Sequence, residues 1–160
     1  MQNVTVTRIV HAQPSVVWDL VGDVTRVAKW HPSVETVDLL SESPTGLGAA
    51  RRCNFYDGTS VRETITELDE GTRLKVALSE YSLPMKTFEA EIRLKPMDDG
   101  NTQVTFSMDY EMKFGVFGKA MNALMVRGQM TKLMSTVLSG LDHHGATGEP
   151  IGEDFVPKAA

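Results

Sequence analysis

Between residues 34 and 113 apolar and polar residues alternate with a period of two, which is typical of β-strands with one buried face. Turn-forming pairs such as Asp57-Gly58 divide this region into short segments. Residues 86–96 alternate apolar with mostly charged side chains, so this part of the sheet is expected to have one face in solvent. The pattern predicts six antiparallel strands, at residues 34–40, 49–56, 60–68, 73–81, 86–96 and 102–113.

The residues before this region carry a different pattern. Residues 4–10 alternate in the manner of a strand and are rich in β-branched side chains, which predicts a first strand. Pro14 then stands where the first turn of a helix tolerates it, and apolar residues follow at helical spacing. A second short helix is predicted to end at His31-Pro32. Two short helices therefore separate the first two strands.

Residues 114–144 are a long apolar segment without a proline, and they predict one long helix. The helix holds four methionines that suit either plain core packing or an adaptable cavity wall: Met121, Met125, Met130 and Met134. An apolar helix must be covered, and nearly everything before it is predicted to be strand. The pattern therefore predicts the α+β class, with a curved antiparallel sheet of about seven strands wrapped around the C-terminal helix.

Glycines lie near the start of that helix, and a polar segment follows it. Gly115 and Gly118 suggest that the segment leading into the helix shifts as a gate. Residues 146–160 are rich in glycine, proline and charge, which is typical of a mobile tail. We therefore expect a single domain over residues 1–145, followed by a flexible tail.

Composition argues against several classes of function. A formal charge of -5 and a pI near 5.3 disfavour binding to nucleic acid or to anionic membranes, because both need clustered positive charge. Cys53 is the only cysteine, which excludes an internal disulfide and a site of several thiolates. His11, His143 and His144 are too widely separated for a metal motif, and no cofactor is expected. Without a secretion signal or a membrane-length apolar run, we expect a soluble cytoplasmic protein that does not insert into membranes.

Short motifs spread along the chain carry a family resemblance. In order, they are Ala12-Gln13-Pro14 with Val17-Trp18, Trp30-His31-Pro32, Gly46-Leu47-Gly48, Arg51-Arg52, Asp57-Gly58, Glu63, Asp69, and Tyr81 with Leu83-Pro84. Together with the order of the elements, these motifs resemble the polyketide cyclase/dehydrase-like branch of the START (SRPBCC) superfamily. The resemblance covers the chain from about residue 4 to residue 141.

The resemblance implies a helix-grip fold, in which the sheet and the long helix enclose a cavity for a small hydrophobic molecule. It does not imply one activity, since relatives include lipid carriers, hormone receptors and aromatase/cyclases. Gln13 departs from the serine that the family often has before the first-helix proline, and this weakens the helix cap. A small hydrophobic ligand is therefore the expected binding partner.

Two charged residues on neighbouring predicted strands are candidates for polar contacts with a ligand. If Cys53 and Phe55 face inward, Arg51 lies on the same face of its strand. Glu63 shares the parity of the apolar residues on the next strand, so both charges would orient the polar end of a ligand. In the alternative, they pair with each other at the sheet edge or on its outer face, because a single bulge reverses the parity.

The other polar candidates also have two interpretations. His31 would be a general acid or base near neutral pH, or a structural group at the end of a helix. Tyr56, Tyr81 and Tyr110 would hydrogen-bond a ligand, or would only pack their rings. Cys53 is predicted to be an inert buried side chain rather than a nucleophile.

These observations lead to three hypotheses about function. The first is a protein that binds a lipid-like or polyketide-like ligand. The second is an enzyme of the cyclase/dehydrase type, with Glu63, His31 and Arg51 as catalytic candidates. The third is a protein that binds a partner and has no pocket of ligand size, and a homodimer also stays open. In the first hypothesis the ligand would contact Arg51, Cys53, Phe55, Glu63, Tyr81, Phe106, Met108, Tyr110, Met121, Leu124 and Met125.

Overall fold

The computed structural model describes residues 1–113 and 119–159, with the side chains of the last helix described from residue 123 onward. The predicted gate at Gly115 and Gly118 lies outside these residues. The elements follow the predicted order and confirm the α+β class. They are β1 (Gln2–Val10), α1 (Pro14–Gly22), a 3₁₀ helix (Val24–Lys29), β2 (Val34–Leu39), β3 (Ala50–Phe55), β4 (Ser60–Asp69), β5 (Arg73–Ser79), β6 (Met85–Pro96), β7 (Thr102–Met112) and α2 (Lys119–Thr147).

The strands form one seven-stranded sheet in the order β1-β7-β6-β5-β4-β3-β2, and every neighbouring pair is antiparallel. The period-two pattern of the sequence places alternate side chains on the inner face. There, Val104 and Tyr110 of β7 lie in one buried cluster with Met134, Leu138 and Leu141 of α2. The sheet and the C-terminal helix therefore share one core, as in the predicted helix-grip arrangement.

The second short helix is a 3₁₀ helix, Val24–Lys29. Asp23 caps it, because Asp23 Oδ1 accepts a hydrogen bond from the Thr25 backbone N–H at 2.9 Å. The residue after it, Trp30, is buried, and its indole Nε1 donates to the Leu20 carbonyl oxygen at 3.0 Å. These contacts fix the loop that follows, which carries His31 to the inner side of the sheet.

Helix α2 ends later than the sequence pattern indicates. The prediction covers residues 114–144, whereas the helix continues to Thr147. Gly148 follows with a φ of +74°, and its N–H donates to the His144 carbonyl oxygen at 2.8 Å. A left-handed residue that satisfies a free carbonyl is a common helix C-cap, and glycine adopts it without steric cost.

The segment after α2, predicted to be mobile, makes specific hydrogen bonds with the domain. The Ile151 N–H donates to the Lys29 carbonyl oxygen at 3.0 Å. The Lys158 N–H donates to Ser139 Oγ at 2.9 Å. These bonds hold both ends of residues 151–158 against the domain, and this arrangement brings the segment to the cavity described next.

Candidate ligand-binding site

A cavity of about 700 Å³ lies between the sheet, α2 and the segment that follows α2. Its walls also include the loop after the 3₁₀ helix and the turn between β3 and β4. Much of the lining is apolar, including Phe55, Val61, Leu78, Phe88, Met108 and Leu133. Concave sites of this size and composition are typical of small-molecule binding in proteins.

An arginine and a glutamate meet behind one wall of this cavity. The antiparallel register of β3 and β4 sets Arg51 directly opposite Glu63. Arg51 Nε and Nη2 lie 2.6 Å and 2.5 Å from Glu63 Oε2, and Nη1 donates to the Val24 carbonyl oxygen at 3.2 Å. The irregularity in β4 lies beyond this point, between Ile65 and Glu67, so the inward parity expected for both charges holds here.

The two charges stabilise each other in a largely dry environment. The exposed fractions of the Arg51 and Glu63 side chains are 10% and 16%. Burial is the largest single influence on the pKa of Arg51 and lowers it, but the Glu63 charge, Cys53 and the hydrogen bonds to both residues together raise that pKa above its usual value. Glu63 lines the cavity, whereas Arg51 lies behind it. A ligand would therefore meet the carboxylate and not the guanidinium.

Cys53 lies next to the same carboxylate. Its Sγ is 3.8 Å from Glu63 Oε2, and its side chain is buried. Burial raises the pKa of the Cys53 thiol to about 12, and the Glu63 charge acts in the same direction. The thiol therefore stays protonated at neutral pH, which disfavours a role as nucleophile or metal ligand.

His31 lines the cavity beside Phe55, with the two ring centroids 6.2 Å apart. Its Nδ1 accepts a hydrogen bond from the Ser33 backbone N–H at 3.2 Å. Burial lowers the pKa of His31 to about 4, although the Glu63 charge opposes this shift. The ring is neutral at pH 7, and because Nδ1 is an acceptor, the ring hydrogen lies on Nε2. His31 thus offers a hydrogen-bond donor rather than an acid or base that titrates near pH 7.

The three tyrosines have different surroundings. Tyr81 and Tyr56 line the cavity. Tyr81 Oη donates to the Met85 carbonyl oxygen at 3.4 Å, and its ring packs edge-on against Phe88 at 5.8 Å. The Tyr110 ring also packs edge-on against Phe88, with centroids 6.4 Å apart. Its hydroxyl is buried and has no hydrogen-bond partner among the described residues.

The structure brings together eight of the residues predicted to contact a ligand. Four of them line the cavity: Phe55, Glu63, Tyr81 and Met108. The other four are buried residues that do not appear in the described cavity wall: Arg51, Cys53, Phe106 and Tyr110. Whether any of these residues contacts a ligand stays a prediction.

The predictions on the first half of α2 need correction. Leu124 and Met125 are 78% and 58% exposed, and neither lines the described cavity. Met125 precedes the buried Met134 by nine residues, which is two and a half turns at about 3.6 residues per turn, so the two lie on opposite helix faces. The first buried side chain in the described part of α2 is Met130. The side chain of Met121 lies outside the described part of the structure.

Sequence reasoning missed the part of the wall that lies toward the end of the chain. Met130, Leu133 and Thr136 line the cavity from α2, where their spacing of three residues keeps them near one helix face. Glu153 and Phe155 line it from the segment after α2. The helical spacing was a usable signal for the first three. An isolated aromatic residue in a polar segment was the signal for Phe155.

Comparison with known protein families identifies the family of this chain. The family model described as polyketide cyclase/dehydrase and lipid transport matches residues 1–144. The chain belongs to this family. The resemblance identified from sequence motifs is thereby confirmed. The family description covers both enzymes and carriers, and the matched region stops before the segment that carries Glu153 and Phe155.

Solved structures share this fold at low sequence identity. A solution NMR structure from Thermobifida fusca is 24% identical with a TM-score of 0.76, and the match covers 94% of this chain and 97% of that one. The crystal structure of TTHA0849 from Thermus thermophilus is 22% identical with a TM-score of 0.73, covering 92% and 99%. DynU16, a protein in the dynemicin biosynthetic locus, is 20% identical with a TM-score of 0.70, covering 94% of this chain but 49% of DynU16. These likenesses show a common fold, and no curated protein sequence matches the chain.

Two further features bear on the kind of site. Across residues 1–113 and 119–159, no helix combines the length and the hydropathy needed to cross a membrane. The histidine, cysteine and acidic side chains in the described ranges also form no group of three or more that could hold a metal ion.

Proposed function

We propose that this protein binds a small hydrophobic or aromatic molecule, lipid-like or polyketide-like, in the cavity between the sheet and α2. The cavity itself carries the proposal, because about 700 Å³ of space is bordered by apolar side chains interspersed with polar ones. Such a wall holds the body of a ligand by apolar burial, while the polar groups orient it. Membership of a family that includes lipid transport supports the same function.

The expected affinity follows from the size of ligand that such a cavity accepts. A ligand of about 20 non-hydrogen atoms that gains about 0.3 to 0.4 kcal/mol per atom binds with about 6 to 8 kcal/mol. This corresponds to a dissociation constant in the micromolar range. The interactions that raise affinity are contacts with the apolar wall, since much of the lining is apolar.

An enzyme of the cyclase/dehydrase type is the alternative, and the family description includes such activities. It needs a group that gives or takes a proton near neutral pH. The low pKa of His31, about 4, and the high pKa of Cys53, about 12, do not suit that task. Glu63 is bound to Arg51 through Oε2. These groups support ligand binding better than proton transfer.

The hypothesis of a partner-binding protein without a ligand-sized pocket has less support. It required that sheet and helix pack without leaving space between them. The described cavity is at odds with that requirement.

Binding of the neutral fluorescent dye Nile red tests the proposal. We expect saturable binding with a micromolar dissociation constant. The Leu133→Trp variant should bind at least about tenfold more weakly, because the larger ring fills space that Leu133 borders. Leu124→Trp is the matched control, since it adds the same bulk to the same helix at a position that is 78% exposed. Absence of dye binding, or equal losses in both variants, would contradict the proposed function.

A further inference from the structure

Two residues that line the cavity each carry a polar atom without a hydrogen-bond partner among the described residues. Glu63 accepts its hydrogen bonds from Arg51 and Cys53 through Oε2, and Oε1 accepts none from the described residues. His31 uses Nδ1 as an acceptor, which leaves the Nε2–H as a donor. Among the described residues, Tyr110 Oη is the side-chain nitrogen or oxygen that is both inaccessible to solvent and without a hydrogen-bond partner, and neither Glu63 Oε1 nor His31 Nε2 is inaccessible in this way. Glu63 Oε1 and His31 Nε2 are therefore accessible, and both residues line the cavity.

The charges of the cavity lining are of one sign. The described lining contains the carboxylates of Asp57, Glu63 and Glu153, and it contains no lysine or arginine. Asp57 Oδ1 accepts hydrogen bonds from the side chain and backbone of Thr59, and these lower the pKa of the Asp57 carboxyl. The nearest guanidinium, that of Arg51, is already bound to Glu63 and to a backbone carbonyl. Within the described lining, an anionic ligand would thus meet carboxylates without a lysine or an arginine to pair with.

We propose that the cavity selects an uncharged ligand whose polar end is a hydroxyl group, such as a phenol or an alcohol, and that it rejects carboxylates. The hydroxyl donates its hydrogen to Glu63 Oε1, and its oxygen accepts from His31 Nε2–H. This inference rests on the proposed function, because it specifies the ligand of the same cavity.

A hydroxyl matches this pair of groups better than other small polar groups do. A ketone or an ether accepts from His31 but places lone pairs against the Glu63 carboxylate. A carboxylate adds a negative charge beside one that is already present. A hydroxyl is a donor and an acceptor at once, so it satisfies both atoms. A site built to hydrogen-bond a hydroxyl discriminates strongly against analogues that lack it, since its own polar groups are then left unpaired.

Four naphthalene probes test the inference on the unaltered protein, through their ability to displace Nile red at pH 7. They are 2-naphthol, 2-methoxynaphthalene, naphthalene and 2-naphthoate. Loss of the hydrogen bond to the charged Glu63 should make 2-methoxynaphthalene at least about tenfold weaker than 2-naphthol. Loss of the bond from His31 should make naphthalene about threefold to tenfold weaker again. We expect 2-naphthoate to be at least about tenfold weaker than 2-naphthol.

A substitution separates the two hydrogen bonds. In His31→Phe, 2-methoxynaphthalene should lose its advantage over naphthalene, while 2-naphthol keeps its advantage over 2-methoxynaphthalene through Glu63. His11→Phe is the matched control, because its ring bonds Asp142 outside this cavity and the four affinities should not change. If His31→Phe does not fold, the comparison of probes on the unaltered protein remains decisive.

The possible failures are distinguishable. Affinities of 2-naphthol and 2-methoxynaphthalene within a factor of two of each other would overturn the inference, and so would tightest binding of 2-naphthoate. If Nile red binds and none of the four probes displaces it, the inference also fails, because the polar pair then contributes nothing. The proposed function fails separately, when Nile red itself does not bind.

Discussion

Replacing Arg51 by methionine is the perturbation that most severely disturbs the buried pair behind the cavity wall. The substitution keeps a long apolar stem but removes the guanidinium. Glu63, whose side chain is 16% exposed, then loses both of its contacts at 2.5 and 2.6 Å, and the Val24 carbonyl oxygen loses its donor. Breaking a buried ion pair in this way costs about 3 to 5 kcal/mol, because an uncompensated charge remains.

Protonation of the carboxyl limits this cost. The carboxyl left behind by Arg51→Met can escape the charge penalty by taking up a proton. For an ordinary glutamate, with a pKa of about 4.3, this uptake costs about 3.7 kcal/mol at pH 7. We therefore expect Arg51→Met to lower the free energy of unfolding by about 3 to 4 kcal/mol at pH 7. The loss should shrink below pH 5, where protonation of the carboxyl is nearly free.

Urea denaturation followed by circular dichroism measures these free energies. Arg52→Met is the matched control on the same strand, since Arg52 pairs with Glu80 where the exposed fractions are 30% and 50%. It should cost less than about 1 kcal/mol. The double variant Arg51→Met/Glu63→Leu should recover most of the loss, because no charge is left buried. A loss for Arg51→Met no larger than that for Arg52→Met would mean that the Arg51–Glu63 pair is not a buried ion pair.

Three further predictions concern acid pH, the helix glycines and the segment after α2. The pKa of His31 falls from 6.5 to about 4 on folding. Between these two pH values the unfolded chain binds a proton that the folded protein does not, so the free energy of unfolding falls as pH decreases from 6.5 to about 4. The stability difference between the unaltered protein and His31→Phe should decrease by up to about 3 kcal/mol from pH 7 to pH 4 in urea titrations. Gly140→Ala should strongly lower the unfolding temperature, because the new Cβ would lie 2.3 Å from a backbone oxygen. Gly128→Ala places its Cβ where nothing lies within 4 Å, and it should raise the free energy of unfolding by about 0.5 to 1 kcal/mol. Phe155→Ala should weaken Nile red binding about fivefold by removing part of the wall, while Val156→Ala, at a position 75% exposed, should leave it unchanged.

Each of these predictions has an outcome that contradicts it. A pH-independent difference between the unaltered protein and His31→Phe would mean that the imidazole is not held neutral. Equal unfolding temperatures for the two glycine variants would mean that Gly140 is not in close contact. Unchanged dye affinity in Phe155→Ala would remove the segment after α2 from the site.

The fold was accessible from the sequence because its signals are local. A period of two marks strands whose faces differ, and turn residues mark their ends. The same periodicity left two possibilities open for Arg51 and Glu63, which were an inward position beside a ligand and an ion pair with each other. In the structure they lie directly opposite each other and form that ion pair, and the bulge in β4 lies beyond Glu63. The type of the second short helix was less accessible, because a six-residue segment such as Val24–Lys29 contains too few turns to distinguish α from 3₁₀ geometry.

The boundary of the cavity was harder to predict, because it depends on contacts between distant segments. An apolar helix shows which residues avoid water on average, but not where along its length the sheet begins to cover it. This is why Leu124 and Met125 were assigned to a wall that Met130 and Leu133 help to form. Phe155 belongs to a polar segment whose packing is set by hydrogen bonds with residues elsewhere in the chain. An aromatic side chain in a polar segment indicates burial, but it does not indicate which part of the domain will cover it.

A crystal structure of the protein with 2-naphthol at saturating concentration shows whether the cavity binds a ligand through Glu63 and His31. We expect the ring to lie in the cavity, in contact with Phe55, Met108 and Leu133. We also expect the hydroxyl oxygen to lie within about 3.2 Å of both Glu63 Oε1 and His31 Nε2. If the cavity remains free of the probe, or if the probe binds only elsewhere on the surface, the cavity is not the ligand-binding site.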